Sequence, residues 1–238
     1  MRFRYHQPIP NFYNNENPHH PKTTISDDFL NEFIDIAIDL GFAGLSYSKL
    51  SDEFRSEWDI DWDNIIILKY AMSEKILKME PSKEKCRLMD DEFQEVGAKT
   101  FALADILRGN GFKADLINPL DDRVSLRAIA LQSNDAVITR SNMCLFKEGL
   151  NLGFFMIETS IENLPFKTEN DLEWVRDYCS TCGVCIDRCP EKVFDEEGKF
   201  LRKLCTAHRE GCSVCINFCP FYKRGYDKVK KRYERMKK

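Results

Sequence analysis

The sequence predicts an α+β protein. A mixed α/β layer domain spans residues 25–165, and a small domain organised by cysteines follows over 166–224. Three observations carry this prediction. Segments of helical periodicity alternate with short apolar runs through the larger part of the chain. Ile65-Ile66-Ile67-Leu68 is continuously apolar, as a strand covered on both faces must be. Eight of the ten cysteines fall between residues 179 and 219. Residues 1–24 read as an N-terminal arm and 225–238 as a basic C-terminal tail.

The elements follow in order. Pro8, Pro10, Pro18 and Pro21 keep the arm irregular. His6, His19 and His20 invite a metal-site reading, but no cysteine or carboxylate completes the set, so a surface arm fits better. Ser26-Asp27-Asp28 caps a helix to Leu40, with Phe29, Phe33, Ile36, Ala37 and Leu40 on one stripe and Gly41 as its stop. A short strand is expected at 43–47 and a buried central strand at 65–68. A long helix over 88–108 presents Leu88, Phe93, Val96, Leu103, Ile106 and Leu107, and Gly109-Asn110-Gly111 ends it. A strand at 112–117 and a short helix at 124–132 come next. Strands at 142–146 and 152–159 are expected to pair across the turn Lys147-Glu148-Gly149.

Composition narrows the class. With 238 residues, 43% hydrophobic and 31% charged, the chain is an ordinary globular one of one large or two small domains. A net charge of −4 gives no overall pointer to nucleic acid. No apolar run approaches the roughly 18 residues a membrane helix needs. The start, Met1-Arg2-Phe3-Arg4-Tyr5-His6, has no apolar signal core. A cytoplasmic protein is expected, in which cysteines act as ligands rather than bridges. Residues 221–238 carry +7, which leaves −11 on the rest. A solvated terminal helix explains that run better than a surface for an acidic partner or RNA. Cys86 and Cys144 stand apart from the others and read as small buried apolar residues.

The clustered cysteines carry the chemistry. The first run is Cys179-x2-Cys182-x2-Cys185-x3-Cys189-Pro190; the second is Cys205-x6-Cys212-x2-Cys215-x3-Cys219-Pro220. C-x2-C-x2-C-x3-C-P is the bacterial ferredoxin pattern for a [4Fe–4S] cluster, and in two-cluster proteins the fourth cysteine of each run ligates the other cluster. One cluster is thereby assigned to Cys179, Cys182, Cys185 and Cys219, the other to Cys189, Cys205, Cys212 and Cys215. Three evenly spaced thiols wrap three corners of a cube and leave the fourth to a distant residue. Zinc sites pair their ligands two by two, which suits this doubled spacing poorly.

Around these motifs the chain resembles the cobalamin-dependent reductive dehalogenases and epoxyqueuosine reductases. The resemblance rests on Asn163-Leu164-Pro165 with Tyr178-Cys179-Ser180-Thr181-Cys182, and on 212–221 around Cys212, Cys215 and Cys219. Upstream, Ala71-Met72-Ser73-Glu74 with Glu80-Pro81-Ser82, and 103–108 with Gly111-Phe112-Lys113-Ala114, extend it in order. It implies a nitroreductase-like α+β domain over 25–165, two [4Fe–4S] clusters, a cobalamin between them, a small-molecule substrate and a low-potential donor of ferredoxin or flavodoxin type. On the matching positions Asp91 falls where epoxyqueuosine reductases keep a proton-donating Asp, and Arg140 matches a basic residue near the substrate. The family's Gly-Leu-Gly loop beside the corrin maps to Asn134-Asp135-Ala136, without its glycines. The dehalogenase tyrosine has no counterpart between 71 and 177, and the chain is short. The expected function is an iron–sulfur oxidoreductase that passes electrons through two clusters to a cobalamin or substrate; the alternatives are an electron-transfer protein that has lost the corrin and docks a partner, and a binding module held together by its clusters.

Overall fold

The structure, a computed structural model, describes residues 15–58, 60–117 and 124–237. His6 and most of the N-terminal arm lie outside them. In chain order the elements are α1 (Asp27–Asp39), β1 (Phe42–Lys49), α2 (Asp52–Trp58), β2 (Asn64–Ala71), α3 (Glu74–Leu77), α4 (Lys83–Gly109), β3 (Ala114–Leu116), α5 (Leu126–Gln132), β4 (Val137–Ile138), β5 (Cys144–Leu145) and β6 (Leu152–Thr159). The cysteine-rich part adds α6 (Trp174–Cys182), α7 (Val184–Asp187), α8 (Ala207–Glu210), α9 (Val214–Asn217), α10 (Pro220–Arg224) and α11 (Tyr226–Met236).

Four antiparallel strands in the order β1-β2-β6-β3 form the main sheet, and β4 and β5 form a small second one. The apolar run 65–68 lies in β2, an interior strand buried from Asn64 to Tyr70. Its alternation feeds two cores. Ile66, Leu68 and Tyr70 join Phe33, Val96, Leu103 and Leu107 under α1 and α4. Ile65 and Ile67 face Trp58, Ile129 and Phe146 on the opposite side. Both faces of the sheet are covered, so β2 needs no polar stripe.

Capping explains where the helices start. Ser26 accepts a hydrogen bond from Phe29 N at 3.3 Å, and Ser82 accepts one from Lys85 N at 3.1 Å. α4 thus begins at Lys83, a turn and more before the expected 88, because its first turn is polar and hides from apolar periodicity. The expected pairing of 142–146 with 152–159 is not what forms. β6 pairs along its whole length with β2, from Asn64↔Thr159 to Ala71↔Leu152, and its far edge takes β3. An eight-residue apolar strand gains more from that ladder than from a two-residue neighbour, so β5 pairs with β4 instead. Of the expected hairpin only the bridge Phe146↔Gly149 remains.

The β4–β5 hairpin joins the two parts of the molecule. Ala136 and Cys144 face the sheet core, whereas Val137, Leu145 and Leu150 pack with Leu172, Val175, Tyr178, Phe221, Tyr226 and Val229. α11 is therefore docked along one face, through Tyr226, Val229 and Tyr233, and presents its lysines and arginines on the other. Cys144 is buried as expected, and Cys86 is partly buried. The described part of the arm is tied down by Asn15 on Asp105 and Asn17 on Asp115, with His19 and His20 exposed.

Candidate metal-cluster site

Local chain geometry gathers the eight cysteines. α6 carries Cys179 and Cys182 and stops at Gly183, whose left-handed φ of 62° reverses the chain into α7 with Cys185. The second run repeats the device. α8 stops at Gly211 (φ 65°), Cys212 follows, and α9 carries Cys215. Pro220 occupies the first turn of α10, where a missing N–H costs nothing, and so fixes the chain just after Cys219.

The thiols fall into two sets through their mutual electrostatic influence. Burial pushes the Cys185 thiol up to about 11, and its neighbours Cys179 and Cys182 push the same way. Burial takes Cys219 to about 12, and the thiols acting on it are Cys179 and Cys185. In the other set, burial takes Cys215 to about 12, reinforced by Cys212 and Cys205. Cys205 is raised by burial and in turn feels Cys212 and Cys189. Cys219 thus lies near thiols of the first run and Cys189 near thiols of the second. Cys185 also acts on Cys215, so the two sets are adjacent. Among the described residues no three His, Cys, Asp or Glu converge tightly enough to hold a single metal ion. A cubane asks for something else, since each thiolate takes a different iron at a different corner. Eight thiols in two sets of four suit that donor chemistry.

The first set is walled by aromatic rings. Trp174, Tyr178 and Phe221 pack around Cys179, Cys182 and Cys219, with Trp174 and Phe221 centroids 5.8 Å apart and Tyr178 and Phe221 5.5 Å apart. Arg140 belongs here too. Its backbone N–H points at the Cys179 thiol, its guanidinium donates to Ser180 O at 3.1 Å, and its charge acts on Cys179 and Cys185.

Asp91 lies elsewhere. Its side chain is 55% exposed on α4 and pairs with Arg87 at 2.7 Å. Asp91 and Arg140 share no contact among the described residues. The half-buried acids of that helix are its neighbours: burial and the charge of Asp91 raise Asp90, and burial raises Glu92, which accepts from Ser73 N at 2.8 Å.

Asn134-Asp135-Ala136 connects α5 to β4. Asn134 has φ 55° and donates to Lys167 O at 2.9 Å. Asp135 is 6% exposed. It accepts from Ser46 and Lys167 and lies 3.3 Å from Lys69 Nζ. Burial alone would raise its carboxyl, but the hydrogen bonds from Lys167 and Ser46 and the two ammonium charges hold it below the ordinary range. Lys69 is fully buried, is also paired with Glu148, and stands 5.2 Å from the Phe146 ring centre. Ala136 is wholly buried, its carbonyl accepting from Asn170.

A second buried cation went unnoticed in the sequence. Lys85, in the first turns of α4, is 1% exposed. It donates to Leu77 O at 3.0 Å, Met79 O at 2.7 Å and Ser213 Oγ at 2.7 Å. Both buried lysines look like surface residues in the sequence, one at the end of an apolar run and one beside Glu84 and Lys83.

An antiparallel sheet covered on both faces, followed by a region that carries eight cysteines, defines the fold. No protein-family model matches the chain, and no curated protein matches it. Among solved structures, a reductive dehalogenase associated with B12-dependent dehalogenation superposes with a TM-score of 0.70 at 14% identity, covering 92% of this chain and 36% of that one. Epoxyqueuosine reductase from Bacillus subtilis gives 0.58 at 14% identity, covering 83% and 66%. Epoxyqueuosine reductase bound to a tRNA stem loop gives the same values. The resemblance is borne out as one of fold, and the chain spans about a third of the dehalogenase's length. Among the described residues no helix is long and apolar enough to cross a membrane.

Proposed function

We propose that this chain is a two-[4Fe–4S] oxidoreductase module on the reductive dehalogenase and epoxyqueuosine reductase fold, whose work is the passage of single electrons. The observation that carries the reading is the crossed grouping of thiols, Cys219 with the first run and Cys189 with the second. A [4Fe–4S] cluster supplies one-electron chemistry at a potential set by charge, hydrogen bonds to sulfur and burial. The chain provides all three levers. Arg140 N–H is directed at Cys179, the rings of Trp174, Tyr178 and Phe221 partly shield the first set from water, and Arg140 and Lys85 place positive charge beside the two sets. Electrons would come from a low-potential donor of ferredoxin or flavodoxin type. Adjacent sets, coupled through Cys185 and Cys215, would pass them on.

Fold likeness to a B12-dependent dehalogenase favours a second reading, cobalamin-dependent reduction of a small molecule. The residues on the expected corrin face do not fit it. Asp135 is consumed by Ser46, Lys69 and Lys167, Ala136 is wholly buried, and Asp91 faces solvent. No step is therefore routed through a corrin, and electron transfer to a docked partner or acceptor is the better-supported function. The test is the metal content of anaerobically purified protein. About eight iron and eight sulfide per chain are expected from two cubanes. Iron near half that, or zinc in place of iron, would overturn the reading.

A further inference from the structure

We infer that Lys85 is a built-in counter-charge for the second cysteine set, a positioning residue that raises the reduction potential of the cluster held by Cys189, Cys205, Cys212 and Cys215. The inference rests on the proposed two-cluster reading and adds to it a specific determinant. Its starting point is an imbalance. Lys85 is buried, and all three of its ammonium hydrogens are used, on two carbonyls and one hydroxyl. Among the described residues it has no ion pair. A buried ammonium whose hydrogen bonds all go to neutral acceptors lacks the contacting opposite charge that usually accompanies a buried cation, the Glu80 carboxylate acting on it only from beyond ion-pair distance.

The missing charge has a definite place. Ser213, the acceptor at 2.7 Å, directly follows Cys212, and the Cys212 thiol acts electrostatically on Lys85. Ser213 Oγ also donates to Leu77 O, and Asn217 Nδ2 donates to the same carbonyl at 2.7 Å, so the α3–α4 turn and the second cysteine loop are fastened around this ammonium. Ser82 N donates to Glu210 O at 2.8 Å just beside it. Gly211 completes the approach: a Cβ there would meet Lys85 Cγ at 3.0 Å and Cys86 N at 3.2 Å, so the loop can lie this close only without a side chain. With the thiolates of a cluster in place, the site gains net negative charge against which Lys85 is the nearest buried cation. A positive charge in a water-poor site favours the more negative, reduced state of the cluster and therefore raises its potential.

The test is an EPR-monitored redox titration of the iron-loaded full chain and of Lys85→Met, with Cys212→Ser used to assign the two midpoints. The midpoint of the second-set cluster should fall in Lys85→Met while the first-set midpoint stays in place. Ser213→Ala removes one acceptor but keeps the charge, so it should shift the same midpoint by clearly less. Where Lys85→Met fails to fold, Lys85→Gln removes the charge and retains donors to the carbonyls, with the same expected fall. Unchanged midpoints in the charge-removing variant, a shift of the first-set midpoint, or an equal shift in Ser213→Ala would each overturn the inference. Wild-type protein without two clusters would instead overturn the reading beneath it. The two failures are therefore distinct.

Discussion

Asp135 shows how one side chain can be tied to structure rather than to chemistry. It is the meeting point of Ser46, Lys69 and Lys167 on the buried face of the sheet. Asp135→Asn should destabilise the chain by about 3 kcal/mol, the low end for breaking a buried pair, because Glu148 still faces Lys69. Urea unfolding measures it. The pH dependence follows from the sign of the shift. A carboxyl held below its ordinary 3.8 contributes stability that is complete above that value. The contribution is lost as pH falls through the lower folded-state value. Asp135→Asn should remove this part of the acid sensitivity and leave the neutral-to-alkaline profile alone. At the cysteines, Cys189→Ser should cost the cluster shared with Cys205, Cys212 and Cys215, although Cys189 closes the first run. Loss of the Cys179, Cys182 and Cys185 signal instead would reverse the assignment. The two cysteine runs are legible in the sequence because their spacing is local. Lys69 and Lys85 are not, since burial of a lysine depends on acceptors 6 to 128 positions away, such as Met79 and Ser213.

Among the elements, legibility followed the length and strength of the periodic signal. α1, β2 and most of α4 were readable, because an apolar stripe or run extends over each. α2 and α3 were missed, being one or two turns long and polar at their start. The pairing of β6 was misjudged because the turn at 147–149 is a local signal, whereas the ladder to β2 joins segments far apart in sequence. That ladder contains a close approach. Gly153 lies opposite Tyr70, and a Cβ at 153 would clash with the Tyr70 ring. The ring is buried and packs against Phe155, with centroids 6.2 Å apart, so moving it disturbs the core. Gly153→Ala should therefore cost about 1–3 kcal/mol by overpacking. An unchanged thermal midpoint would show that the ring swings aside freely.

At the scale of the whole molecule, two of the places where the described sheet and cysteine regions meet adjoin thiols. The β4–β5 hairpin with Arg140 adjoins the first thiol set, and the α3–α4 turn with Lys85 adjoins the second. Each junction brings a cation beside a set of thiols, and the first also directs the Arg140 N–H at Cys179. Neither brings Asp91, which faces solvent beside Arg87. This arrangement bears directly on cobalamin. A corrin between the two parts needs a backbone that can come close to the ring, as glycines allow. Here the corresponding stretch carries Asp135 and Ala136, both buried and hydrogen-bonded within the protein. Opening that face would break the ion pairs of Lys69 and Lys167 with Asp135, at several kcal/mol by the usual cost of stranding a buried charge. Calorimetry of the anaerobic, cluster-loaded chain with cobalamin should accordingly show no binding at concentrations up to about 100 µM, which corresponds to less than roughly 5.5 kcal/mol of affinity. Asp91→Asn should leave cluster reduction and reoxidation unchanged, since that side chain faces solvent and is engaged with Arg87. Tight, stoichiometric cobalamin binding, with turnover lost in Asp91→Asn, would restore the reductase reading. It would also require the Asp135 network to open when the corrin binds.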